Sequence, residues 1–153
     1  MNEITLDVQG LEEKTFQSGE NVLVEGKQDK LVYIMKEGSV AVNVDGNELC
    51  KANTPGTIFG EISVLLNSAN TATVTAETET SFYVIDDFMG YFENNPKACI
   101  EVAQTLAARV MNMNNHFLEI KHEIMEQEKA GKKSGKLMEL VKKMDSFWGQ
   151  DIL

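Results

Sequence analysis

Arginine is all but missing: Arg109 is the only one in 153 residues, and no Lys or Arg stands between Lys51 and Lys97. An anion bound along that stretch must rely on backbone amides and neutral groups. Histidine is nearly as scarce. His116 and His122 lie six apart, not at the i, i+4 spacing of a zinc-binding HExxH helix, and none precedes them. This argues against metal-dependent enzymes on β-rich scaffolds, whose ligating histidines project from strands. The two cysteines, Cys50 and Cys99, form no CxxC pair, so neither a disulfide framework nor a zinc ribbon is indicated; buried free thiols are expected. There is no nucleophile elbow and no P-loop. No apolar run approaches the ~20 residues that span a bilayer. Met1 to Gly10 carries Glu3 and Asp7 where a targeting segment would be basic and then apolar, so a cytoplasmic location without membrane contact is expected.

Carboxylates, by contrast, are plentiful. The 24 Asp+Glu exceed the 14 Lys+Arg and give a net charge of −10. They are concentrated early: residues 1–95 hold 5 lysines against 16 acidic residues, net −11, whereas 96–153 hold 9 basic against 8 acidic, net +1. Such a body repels phosphates, and no nucleic-acid partner is expected. At 17.0 kDa and 42% hydrophobic residues, the chain suits one ordinary domain.

From Asn21 to Ile85, short β-branched runs alternate with glycine turns, which predicts a barrel or sandwich. Val40 to Val44, then Asp45-Gly46, then Glu48 to Ala52 is the strongest hairpin signal. Further strands are expected at Lys30 to Met35, Thr57 to Phe59, Ala72 to Ala76 and Thr80 to Ile85, in the manner of a jelly roll. After Ile85 the period changes. Asp86-Asp87 is read as the cap of a short helix, not as an acid/base pair, and Asn95-Pro96 opens a long one. Between Pro96 and Gly131, Cys99, Ala103, Leu106, Val110, Met113, Phe117, Ile120 and Ile124 follow each other at alternating spacings of 4 and 3. A helix of that length is ~50 Å long, beyond the ~30 Å span of a small domain, so the heptad stripe is read as the seam of a parallel homodimer. Asn112, Asn114 and Asn115 lie beside it and can set its register.

Lys129 to Lys136 reads as a solvated hinge broken by Gly131 and Gly135. The tail then places Leu137, Leu140, Val141, Met144 and Trp148 on one helical face, which can dock on the β body, on the second copy, or on a protein partner through 137–148. The expected organisation is 1–95 as a mainly β ligand-binding domain, 96–130 as the dimerisation helix, and 131–153 as hinge and amphipathic tail. Only 18 residues follow Gly135, enough for one helix and too few for a winged helix-turn-helix.

Function is concentrated in Pro55 to Ala76, PGTIFGEISVLLNSANTATVTA, where a strand ends in Phe59-Gly60-Glu61 and a helical turn follows. The amides of Glu61, Ile62 and Ser63 can point outward there at the positive end of a helix dipole. In its order and context this stretch resembles the phosphate-binding cassette of the cyclic nucleotide-binding domain, found also in catabolite activator protein-like regulators. Gly19-Glu20, Glu25-Gly26, Tyr33-Ile34, Glu37-Gly38, Gly46, Pro55-Gly56 and Ala72-Thr73-Val74 resemble the family's other signposts. The resemblance implies a double-stranded β-helix (jelly roll) with a short and then a long helix, and cAMP or cGMP as ligand. It implies that Glu61 accepts the ribose 2′-hydroxyl, that the amides after Gly60 hold the cyclic phosphate, and that Thr71 adds a hydroxyl. It places Arg109 where some members pair a long-helix arginine with the cassette glutamate, and Asn114 where the long helix meets the base. The family's arginine, two residues before Ala-Thr-Val, is here Asn70. Two functions remain open: a non-enzymatic ligand sensor, weakened or altered for cyclic nucleotide, and a degenerate domain serving as a dimerisation or docking scaffold.

Overall fold

Asp45 and Gly46 adopt φ of 50° and 76°, the paired left-handed conformation of a two-residue hairpin turn. They join β4 (Val40–Val44) to β5 (Asn47–Ala52), with Val44 opposite Asn47. In this computed structural model, which describes residues 6–131 and 135–151, that hairpin is one half of a four-stranded antiparallel sheet ordered β2-β7-β4-β5. Its remaining strands are β2 (Asn21–Leu23) and β7 (Thr73–Ala76). The second sheet, also antiparallel, runs β1-β8-β3-β6 and uses Glu12–Phe16, Thr80–Ile85, Val32–Glu37 and Ile58–Phe59. This is the expected jelly roll. Strand β1 lies outside the sequence expectation, because four of its five residues are exposed and only Phe16 faces the core.

The two sheets enclose Phe16, Val22, Leu23, Tyr33, Met35, Val40, Phe59, Val74, Ala76 and Phe82. Phe82 lies at the centre, with Phe16, Tyr33 and Phe59 meeting its ring edge-on at centroid distances of 5.8, 5.7 and 6.1 Å. Since strand side chains alternate, Val32, Ile34, Ile58 and Ile85 point to the opposite face of this sheet, and they are buried too. The helical segments available to cover them are α2 (Phe88–Asn94) and the first turns of α3 (Pro96–Lys129), which bury Phe88, Tyr91, Ala98 and Val102. Asp87 caps α2, its carboxylate accepting from the Gly90 amide at 3.0 Å.

Both cysteines are free, as expected, but exposed. Cys50 stands on β5, the outer strand of its sheet, and Cys99 lies one residue after the buried Ala98 and three before the buried Val102, off the face those two share. A thiol on an edge strand or an outward helix face has nothing to cover it.

The chain divides into two compact units, 1–103 and 104–153. The second comprises the rest of α3 and α4 (Gly135–Asp151). Lys121 Nζ donates to both carboxylate oxygens of Asp145 at 2.7 and 2.8 Å, so α4 returns alongside α3. Ile124 and Val141, one turn further from that pair, are the buried residues of this unit among the described residues. Of the expected tail face only Val141 is buried; Leu137 and Leu140 are exposed, and the side chains of Met144 and Trp148 lie outside the described residues. Ile124 is likewise removed from the open stripe, whereas Val110, Met113 and Ile120 are about half exposed or more.

Candidate functional site

Strand β6 is the edge of its sheet, and its two residues are core: Ile58 pairs with Ile34 and Phe59 with Tyr33. The chain must then leave the sheet and reach β7, in the middle of the other sheet. Gly60 makes the turn at φ 89°, and a Cβ there would collide with the Leu31 carbonyl oxygen. Glycine is therefore required twice over, for its conformation and for the close approach.

The next residues form α1 (Glu61–Leu65). Its N-cap is Gly60, which has no side chain with which to cap the helix. Glu61 and Ser63 are buried, at 2% and 6% exposure, and Ile62 is half-buried. A carboxylate so enclosed is kept only where pairing or hydrogen bonding offsets the loss of its hydration.

Asn70 is also buried, at 5%. Its amide nitrogen Nδ2 donates to the Val24 carbonyl and to Asp29 Oδ2, each at 3.2 Å, and its Oδ1 accepts from the Ser63 hydroxyl at 3.0 Å. The same hydroxyl reaches the Gly60 carbonyl at 2.8 Å, so one proton is shared between two acceptors. The backbone is engaged as well: Asn70 N donates to Lys27 O at 2.7 Å, and Gly26 N to Asn70 O at 2.9 Å. Asn70 thus ties the β2–β3 loop to α1, its side chain turned inward. Neither Asp29 nor Val24 was among the sequence candidates; they lie 41 and 46 residues away, and no local pattern links them.

Thr71 is exposed beside Asn70, while Thr73 at the start of β7 accepts from the Glu25 amide at 3.0 Å. Gly60, Glu61, Ile62, Ser63, Asn70 and Thr71 therefore belong to one connection between the sheets, in the first unit. Arg109 and Asn114 are partly buried residues of α3 in the second unit. Among the described residues there is no group of three or more His, Cys, Asp or Glu able to hold a metal ion, and no helix long and apolar enough to cross a membrane.

A jelly roll whose sheets are bridged by a glycine-led turn and a short helix with a buried glutamate is what the cyclic nucleotide-binding domain provides. The family model of that name matches residues 13–95, more than half of the chain, and the chain belongs to this family. It is similar to the cAMP-dependent protein kinase regulatory subunit of Eremothecium gossypii, 32% identical over 54% of this chain and 18% of that protein. It is also similar to the potassium/sodium hyperpolarization-activated cyclic nucleotide-gated channel 2 of Mus musculus, 29% identical over 92% of this chain and 17% of the channel. The chain thus spans less than a fifth of either relative. Among solved structures, the catabolite activator protein of Thermus thermophilus superposes with a TM-score of 0.63 at 21% identity, covering 77% of this chain and 59% of that one, a likeness of fold.

Proposed function

We propose that this chain is a regulatory, non-catalytic sensor of a cyclic nucleotide, cAMP or cGMP, with a cassette of reduced affinity. The cyclic phosphate lies against the amides of Glu61, Ile62 and Ser63, Glu61 accepts the ribose 2′-hydroxyl, and Thr71 turns its hydroxyl to the phosphate. The observation that carries this reading is the Gly60 turn that leads into α1 at φ 89°, with Glu61 buried directly after it.

Asn70 contributes indirectly. Where an arginine would pair its fork with the phosphate, Asn70 holds Asp29 and Ser63, keeping α1 in place without neutralising the ligand. A missing charge-assisted bond corresponds to ~1.5–3 kcal/mol, or one to two decades of affinity. Ligand acts by population shift, favouring one arrangement of the long helix through differential affinity. That helix pairs two copies in parallel along 96–130, a reading supported by the exposure of Val110, Met113 and Ile120 in the single chain. The protein acts in the cytoplasm.

Calorimetric titration with cAMP and cGMP tests the reading. Weak, saturable heat that disappears in Glu61→Ala and grows by one to two decades of affinity in Asn70→Arg is expected. No heat and no thermal stabilisation at millimolar ligand would instead leave the domain as a dimerising or docking scaffold, for which the exposed Leu137 and Leu140 offer a surface.

A further inference from the structure

The heptad stripe of α3 ends at Ile124, and the structure treats that last position differently from the others. Val110, Met113 and Ile120 are 49%, 64% and 54% exposed, whereas Ile124 is 5% exposed. What changes along the helix is α4. Lys121, three residues before Ile124, grips Asp145; Val141, four residues before Asp145, is 4% exposed. In two antiparallel helices, one step of a turn along α3 from Lys121 matches one step back along α4 from Asp145. The register set by that pair brings Ile124 and Val141 to about the same height on the two helices, and both are buried.

A residue cannot serve two partners. The pattern of 4 and 3 spacings that defines the dimer seam continues through Ile124, yet within one chain that position is already occupied by the chain's own tail. We propose that α4 is an intrachain plug on the distal end of the seam, which must lift from Lys121 and Ile124 before a second copy can pair along the full helix. This rests on the dimer reading above and adds to it a built-in competitor: the same apolar strip closes either on Val141 of its own chain or on α3 of the second copy. The latch suits reversible opening. Lys121 and Asp145 side chains are 26% and 46% exposed, and pairs so placed contribute little net stability. Beside that pair, the buried residues described in this unit are Ile124 and Val141.

The test is sedimentation equilibrium on the full chain, with hydrogen exchange at 121–127 as a second readout. Val141→Asp should raise exchange at Ile124 and tighten dimerisation by roughly tenfold, since a seam position becomes available on each copy. Asp145→Lys, an exposed change that leaves folding intact, should tighten it by roughly two- to fivefold, and the charge-swapped Lys121→Asp, Asp145→Lys pair should return it to the starting value. Weaker dimerisation in Val141→Asp would place α4 inside the dimer interface and overturn the plug. An unchanged constant in a dimeric protein would also overturn it while leaving the seam intact. Monomers throughout, at every concentration and in every variant, would overturn plug and seam together.

Discussion

Ser63 donates its hydroxyl to Asn70 Oδ1 at 3.0 Å, joining the first turn of α1 to the residue that stands where the family has its arginine. The cassette is thus tied together by a hydrogen-bonded network of Ser63, Asn70, the Val24 carbonyl and the Asp29 carboxylate. Asn70→Ala removes a donor from the Val24 carbonyl and from Asp29 and leaves the Ser63 hydroxyl with the Gly60 carbonyl alone. Loss of about 1–3 kcal/mol of stability is expected, read from urea unfolding with an unchanged m-value.

Gly60→Ala should be at least as severe. The substitution meets a φ of 89° and the Leu31 carbonyl oxygen together. Strain of about 1–3 kcal/mol is expected from the backbone alone. A thermal melt shows whether the variant folds; if it does, the amides of α1 are displaced and cyclic nucleotide binding is lost.

Val110→Asp separates assembly from folding. Val110 is 49% exposed in the single chain, so its replacement should shift monomer stability by no more than about 0.5 kcal/mol. Sedimentation should nonetheless show the dimer abolished. A variant that stays dimeric would remove the seam from the account.

Alkaline pH offers a check on how the N-terminal segment is fastened. The Tyr91 hydroxyl donates to the Asp7 carbonyl at 2.7 Å. Burial, with the nearby charges of Asp7 and Glu101 adding to it, pushes its pKa from 10.0 up to about 12. The folded state thus retains a proton that the unfolded chain releases. Stability from this group is complete below pH 10, declines above it, and is lost by about pH 12. In Tyr91→Phe that part of the slope should vanish.

Much of this architecture could be read in the sequence, for identifiable reasons. The hairpin at Asp45-Gly46 and strand β8 at Thr80–Ile85 fall where alternation and turn chemistry placed them, because both signals are local. The Asp87 cap was legible for the same reason. Strand β1 was not, since Glu12 to Thr15 face solvent and the strand exists through its pairing with β8. The expectation of buried thiols failed at Cys50 and Cys99 because composition carries no information about which strand is an edge or which way a helix turns. The cassette's position was clear from Phe59-Gly60-Glu61, but the use of Asn70 was not. Two of its partners, Val24 and Asp29, come from a segment more than 40 residues away, and only the folded sheets bring that segment to it.

The account turns on the amides that follow Gly60, and nitrogen-15 NMR of the full chain titrated with cAMP and cGMP reads them directly. The amide signals of Glu61, Ile62 and Ser63 should move most, saturably and at sub-millimolar to millimolar ligand, and Glu61→Ala should suppress the shifts. Signals that stay still at millimolar ligand, or that move only on α3 and α4, would contradict it.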